Sequence, residues 1–501
     1  MKRYLTFIAI MLCAIGSAQN LNDVLRYSSE NLQGSARFQS MSGAFGALGG
    51  DLSALNVNPA GAAVFNNSLF GFSGTNYNRN NEATYFNGFA STKLNSLEFN
   101  QIGGVIVFKT NSESPWRKLT LAVNYDLAEN YDNEIFIAGN SSEGIDNYFL
   151  DFAQGAPFGS ILLRENEYLE DAYLDIGAQQ SYADQQAFLG YYGGIINPVD
   201  ETDDNNTAYT SNSNYTSVNQ ELVRQTSGYN SKFVVNGATQ YGENLYIGAS
   251  LNFHTILYNR YDEFTEDGYD AGSPTQFTTF DNFLHTEGNG FSFSIGAIGK
   301  LNDLIRLGAS YQSPTWYRLT DDFAQKINST DAVSDINFIN YDIVNLFEAY
   351  NVKTPGKLTG SLAFIFGKNG LLSLDYGYQD LSSAKIKPTS DPNFATVNND
   401  IGNNLSQVSS IRLGGEYRIQ RFSLRAGYRY EQSPFADGRT IGDLNGYSGG
   451  LGINFRKSRL DLSLNRTEQE VSESLFDTGI TTPAILNKIN TNVTVGYTVN
   501  F

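Results

Sequence analysis

Strict alternation of apolar and polar residues runs through most of this chain. In 491–501, Val493, Val495, Tyr497, Val499 and Phe501 share one face, and Asn492, Thr494, Gly496, Thr498 and Asn500 share the other. In 421–431, Phe422, Leu424, Ala426, Tyr428 and Tyr430 oppose Ser423, Arg425, Gly427 and Arg429. In 407–419, Ile411, Leu413, Tyr417 and Ile419 oppose Arg412, Gly414, Glu416 and Arg418. Successive side chains of a strand point to opposite faces, so each segment predicts a strand with one apolar side.

Fourteen such segments are expected: 68–77, 98–109, 117–127, 231–242, 245–259, 289–300, 304–313, 354–367, 371–381, 407–419, 421–431, 447–456, 459–469 and 490–501. Their connections alternate in length. One set is short: 110–116, Glu243-Asn244, Asn302-Asp303, Lys368-Asn369-Gly370, Gln420 and Lys457-Ser458. The other set is long: 78–97, 128–230, 260–288, 314–353, 382–406, 432–446 and 470–489. Tight periplasmic turns alternating with long outer loops are the pattern of a transmembrane β-barrel. Each segment is long enough to cross the hydrocarbon layer at a tilt, which takes about nine to eleven residues. Closure pairs every backbone group, so no strand edge meets lipid. A soluble sandwich would alternate too, but would not need long and short connections in turn. The predicted fold is therefore all-β: a transmembrane antiparallel β-barrel of about fourteen strands over 68–501. An even strand count puts both barrel ends on the periplasmic side, and the segment before the barrel is expected to begin there.

That segment is unlike the rest. Gly34 to Phe65 is dense in Gly, Ala and Ser and ends in Asn58-Pro59-Ala60-Gly61. Small residues let backbone approach backbone or a surrounding wall, but they build no large core. Asp51 or Ser53 can cap a short helix that ends before Asn58-Pro59. Pro59 fixes its own backbone, Gly61 permits close approach, and the Asn58 side chain can lock the turn. The segment 19–67 is read as a compact insert inside the barrel. Whether it moves with ligand or is a fixed turn stays open on the residues alone.

Composition agrees with extended, aromatic-rich chain: 48 Gly, 31 Tyr and 34 Phe against 11 Pro. The net charge of −19 over 501 residues argues against nucleic acid as a partner. Lys2-Arg3, the apolar run Leu5 to Ile15 and Gly16-Ser17-Ala18 form a signal peptide over 1–18. Its removal leaves 31 basic against 52 acidic side chains, a net of −21. The single cysteine, Cys13, lies in that run, and Leu12 before it is not the small residue that acylation needs. The mature chain is thus expected to have no disulfide and no thiolate metal site. No later apolar run is long enough for a membrane helix. The chain is expected in the outer membrane.

The long connection 128–230 carries helical patches over Ile145 to Phe152 and Glu165 to Tyr192, whereas 201–219 reads as exposed loop. About two short helices are expected there. Their aromatics, Tyr168, Tyr173, Phe188, Tyr191 and Tyr192, are a candidate outer groove for a greasy ligand. The competing reading is that they pack on one another and on the barrel rim.

Four stretches resemble the FadL/TodX outer-membrane transporters of hydrophobic compounds. The small-residue run with Asn58-Pro59-Ala60-Gly61 is similar to the family's hatch and its Asn-Pro-Ala signature. Lys353-Thr354-Pro355-Gly356-Lys357-Leu358 resembles the strand start after a long outer loop. Ile411-Arg412-Leu413-Gly414-Gly415-Glu416-Tyr417-Arg418, with Leu424-Arg425-Ala426-Gly427-Tyr428-Arg429-Tyr430-Glu431-Gln432-Ser433-Pro434, resembles the late hairpin. Tyr311-Gln312-Ser313-Pro314 resembles an earlier strand exit. The likeness spans most of the mature chain, but 128–230 aligns with none of the family's parts.

The resemblance implies a fourteen-stranded barrel plugged by an N-terminal hatch. It also implies ligand capture by the outer loops, transfer to a site against the hatch and exit sideways through the wall. Long-chain fatty acids are the first expectation among ligands. With the apolar faces toward lipid, Arg412, Glu416, Arg418, Arg425 and Arg429 point inward. They could hold a carboxylate head group, or form a ladder of ion pairs between neighbouring strands. The last strand, ending in Phe501, resembles the signal read by the barrel-assembly machinery. Outer-membrane lipids and lipopolysaccharide are the expected surroundings of what is read as a monomer.

Other readings are weaker. A surface adhesin or lipid-binding barrel without transport would use the loops alone. Haem uptake would need an axial ligand in a pocket, and His254 and His285 mark none. The acidic residues Asp262-Glu263, Glu266-Asp267 and Asp270 fit no calcium loop. With two histidines and no Gly-x-Ser-x-Gly motif, an enzyme is not expected. No cofactor and no metal are assigned.

Overall fold

The computed structural model describes residues 21–29, 31–110 and 114–501. The signal peptide expected over 1–18, with Cys13, lies outside the described residues. Fourteen antiparallel strands form a ring: β1 (Leu69–Tyr85), β2 (Gly88–Lys109), β3 (Trp116–Asn130), β4 (Val218–Tyr241), β5 (Leu245–Asp267), β6 (Phe277–Lys300), β7 (Ile305–Gln312), β8 (Lys357–Phe366), β9 (Gly370–Asp380), β10 (Gln407–Ile419), β11 (Phe422–Glu431), β12 (Leu444–Asn454), β13 (Ser458–Glu473) and β14 (Ala484–Asn500). β1 pairs with β14, from Leu69↔Asn500 to Thr84↔Ile485, and this closes the cylinder.

The alternation explains the orientation of each wall. Leu413, Tyr417, Leu424, Leu451, Leu462 and Val495 are exposed on the outside, while Ser73, Thr120, Asn124, Glu416, Arg425 and Thr494 are buried inside. A core of polar side chains behind an apolar exterior is the inverse of a soluble protein and is what lipid as solvent demands.

Three expectations about the connections are corrected. The stretch 78–97 is not a loop: β1 and β2 stay paired up to Tyr85↔Gly88 and turn at Phe86-Asn87. The strands β4, β5 and β6 run for 24, 23 and 24 residues, so 218–230, 260–267 and 277–288 are wall. In these extensions, Arg79 to Glu82 among them, polar residues occur on both faces, because the cylinder rises out of the hydrocarbon layer. Apolar alternation ends at the membrane surface; backbone pairing does not. Finally, 314–353 contains the strand Trp316–Ser329, which prolongs β7 past Ser313-Pro314 and pairs with β6 from Trp316↔Phe291.

The long connections on one side carry a helical lobe. Three helices, where about two were expected, occupy 128–230: α1 (Ile145–Ala153), α2 (Leu169–Gln179) and α3 (Tyr182–Tyr192). A further one, at Pro392–Asn404, was not anticipated.

The chain before β1 runs opposite to expectation. Leu21–Ser28 is an eight-residue helix whose Val24, Leu25 and Tyr27 pack with Tyr258, Leu284, Tyr317 and Tyr350, well above the short turns. From there the chain descends through the ring. Phe65, where the Lys118 Nζ donates to its carbonyl at 2.8 Å, reaches the short-turn side. The segment therefore ends, rather than begins, at that side.

Candidate functional site

Residues 34–65 are almost wholly buried and touch strands around the ring. Arg37 binds Glu416 of β10, the Gly46 amide donates to Asp375 of β9 at 2.9 Å, and Asn56 donates to Asp126 of β3 at 3.0 Å. Gln39 accepts from Thr494 of β14 at 3.0 Å. The fit is tight enough that a Cβ added at Gly248 of β5 would lie 2.5 Å from the Pro59 carbonyl.

Asn58, Pro59, Ala60 and Gly61 form the knot of this segment. Asn58 caps the short helix Pro59–Val64, its Oδ1 accepting from the Ala60 amide at 3.1 Å. Its Nδ2 donates to the Gly46 carbonyl at 2.7 Å and to the Ala297 carbonyl of β6 at 3.1 Å. The Pro59 carbonyl accepts from Asn236 of β4 at 3.0 Å. Gly49, at φ +57°, would place a Cβ 2.7 Å from the Gly61 Cα, so it admits no side chain, and a Cβ on Gly61 would lie a tight 3.1 Å from the Gly49 Cα. One asparagine thus ties two turns of the segment to each other and to the wall.

Of the five inward residues, Glu416 is the hub. Arg37, Arg418 and Arg425 donate to it at 3.1, 2.6 and 2.6 Å, and Arg425 also meets Asp461 at 2.7 Å. Arg412 and Arg429 share Glu431 instead. The inter-strand ladder is therefore present, and it recruits Arg37 from the N-terminal segment. Charged groups buried this deeply persist only when paired.

Above the segment lies a lumenal cavity of about 350 Å³. Leu25, Tyr27, Tyr131, Asn230, Tyr317 and Lys357 are among its lining residues. A smaller pocket shares Asn31, Gln312, Lys357, Gly377 and Ser410 with it, adds Lys232 and Arg412, and reaches Asp126, Leu127 and Ala128 of β3. Several buried polar atoms facing this space have no protein partner: Tyr131 Oη, Asn230 Oδ1, Asp126 Oδ1 and Arg412 Nε. His254, on the polar side of β5 as its alternation requires, also lines the cavity and contacts Ser292 and Tyr317. His285 sits apart against Asn259.

The wall is interrupted beside this pocket. β2 and β3 pair from Lys109↔Lys118 only as far as Gln101↔Asp126. Beyond that point, Lys93 to Phe99 pair with β1 alone, whereas Leu127, Glu129 and Asn130 pair with β4. Asn100 is an extra residue in β2, out of register with β1; its side chain turns inward and donates to the Gly34 carbonyl at 2.8 Å. A bulge bends a strand and ends local pairing. Contact between the diverging walls resumes higher up, where Thr92 donates to the Glu134 carbonyl at 2.7 Å.

The proposed outer groove takes a different form. Tyr173 and Phe188 are fully buried, with Tyr173 Oη donating to Gln325 at 2.8 Å. Tyr191 and Tyr192 are half-buried, ring against ring, and only Tyr168 is exposed. Tyr173 and Phe188, with Tyr191 and Tyr192 packed against them, fill the lobe's own core, since small helices cover their apolar faces by packing on one another. The open space lies below, lined by Arg412, Arg429 and His254 together with residues that sequence reasoning did not single out. Lys232 and Asp126 sit on the polar faces of expected strands, so alternation could have named them; Tyr131 and Asn230 lie in what read as loop.

A closed cylinder with an apolar exterior, an internal segment and a lumenal cavity defines a membrane channel protein. Residues 206–498 match the family model described as outer membrane protein transport protein (OMPP1/FadL/TodX), and the chain belongs to that family. It is therefore an outer-membrane transport protein for hydrophobic compounds and not an enzyme. Among solved structures, a Pseudomonas aeruginosa FadL homologue is similar at 12% identity and a TM-score of 0.54, covering 94% of this chain and 99% of that one. The Pseudomonas putida toluene transporter TodX is similar at 13% identity and a TM-score of 0.49, covering 95% and 100%. No curated protein sequence matches.

Proposed function

We propose that this protein carries amphiphiles with an ionised head, long-chain fatty acids first, passively across the outer membrane. The supporting observation is the character of the lumenal space. Lys232, Lys357 and Arg412 line it together with amides and hydroxyls, several with orphaned buried atoms. A hydrocarbon would leave those atoms unpaired, at about 1–3 kcal/mol each, whereas a carboxylate can accept from Tyr131 Oη and Arg412 Nε and its hydration water can donate to Asn230 Oδ1 and Asp126 Oδ1. The acyl chain gains about 0.8 kcal/mol per buried methylene against Leu25, Leu127 and neighbouring apolar groups.

In this reading residues 34–65 are the hatch, closing the cylinder toward the periplasm, with Asn58, Pro59, Ala60 and Gly61 as its fixed turn. The ligand enters past the helical lobe, rests in the cavity with its head among the cations, and leaves sideways where β2 parts from β3. The five residues Tyr168, Tyr173, Phe188, Tyr191 and Tyr192 shape the approach rather than hold the ligand.

Uptake of labelled oleate and labelled toluene by cells with and without the protein tests this. Oleate entry should depend on the protein and fall in Lys357→Gln, while toluene entry should not. Protein-dependent entry of toluene but not oleate would reverse the assignment.

A further inference from the structure

We propose that three neighbouring turns on the short-turn side form a docking surface for the phosphate head groups of anionic phospholipids. The turns are those of β8–β9, β10–β11 and β12–β13, consecutive around the ring and about 10 Å apart, two strand spacings. Each pairs an exposed phenyl ring with exposed cationic charge. Phe366 stands beside Lys368, Phe422 beside Arg421, and Phe455 beside Arg456 and Lys457.

None of these four cations makes an ion pair among the described residues, and no carboxylate stands on these three turns. The nearby Arg418 and Arg459 instead turn inward onto Glu416 and Asp461. The other half of the rim is different: Glu243 on the β4–β5 turn pairs with Arg117 at 3.2 Å, and Asp303 stands on the β6–β7 turn. A one-sided cationic arc on a chain of net charge −19 is a local departure from its overall composition.

The phenyl rings identify the occupant. They project from the lipid-facing side, so the cations beside them stand at head-group depth, where a membrane surface rather than bulk solvent is the neighbour. Aromatic rings settle at that interface, and lysine and arginine there attract anionic lipid. Short turns face the periplasm in barrels of this kind, so the leaflet is the inner one, made of phospholipid.

The full-length protein in bilayer discs of phosphatidylcholine with a minor share of phosphatidylglycerol, released for native mass spectrometry, tests this. The unaltered protein should retain phosphatidylglycerol preferentially, with the preference fading as salt rises. The K368Q/R421Q/R456Q/K457Q variant should lose it by on the order of tenfold, while Lys93→Gln, on the outer half of β2, should not. Heat-modifiable gel mobility checks folding; should the fourfold variant fail it, R421Q/R456Q should still show a partial loss. No preference in the unaltered protein, full retention in the variants, or equal dependence of lipid A binding on the same four cations would each overturn the assignment.

Discussion

Replacing Asn58 by alanine should convert a nearly closed barrel into one that leaks in bursts. The side chain bonds the Ala60 amide at 3.1 Å, the Gly46 carbonyl at 2.7 Å and the Ala297 carbonyl at 3.1 Å, and is 1% exposed. Loss of the helix cap costs about 1 kcal/mol. Two buried carbonyls lose a donor, at about 1 kcal/mol each when water cannot replace it. The attachment of 34–65 to the wall is therefore weakened by roughly 3 kcal/mol, which raises the detached population on the order of a hundredfold. In planar bilayers this should be read as frequent large conductance steps where the unaltered protein shows few. Asn58→Asp keeps the cap but sets a buried carboxylate oxygen against two carbonyls, so its effect should be at least as large as that of alanine. Amide exchange at Ala60 provides the control: if it accelerates while conductance stays unchanged, the segment loosens without opening a path, and it is not the barrier.

Other outcomes follow from the same geometry. Glu416→Gln leaves Arg37, Arg418 and Arg425 facing a neutral amide inside the cylinder, and breaking such a buried network costs about 3–5 kcal/mol, visible as a lower unfolding midpoint. Ala128→Trp, placed where β3 leaves β2, should cut oleate uptake several-fold with heat-modifiable mobility intact; uptake at the original rate would remove the sideways exit. Glu143, in the connection before α1, ties that connection to 481–482. Slight burial alone would raise its pKa, but hydrogen bonds from Thr482 and Thr481 outweigh this and hold it below the usual carboxylate value. Its stabilising contribution is thus complete above the unfolded-state pKa and lost as pH falls through the lower folded value. The protection of the Thr481 amide, relative to its intrinsic exchange rate at each pH, should fall once acidification passes the ordinary glutamate range and stay high at neutral pH.

The alternating pattern by itself determined the strand number, the apolar exterior and the inward direction of Arg412, Glu416, Arg418, Arg425 and Arg429, because lipid imposes a single sign on every outward position. It also marked 34–65 as unfit to build its own core. It did not determine how far the wall rises. Above the hydrocarbon the outward face is free to be polar, so β4, β5 and β6 continue without any periodic signal. Nor did it show that the chain enters high and descends, since small residues fit either direction. The partners of Glu416, 379 residues from Arg37, the cavity over the Asn58 knot and the parting of β2 from β3 at Asn100 were decided only by closure of the ring. Closure brings together side chains that no local spacing connects. The aromatics of α2 and α3 make the same point: their helical spacing was legible, but only the packed lobe determined that they pack on each other.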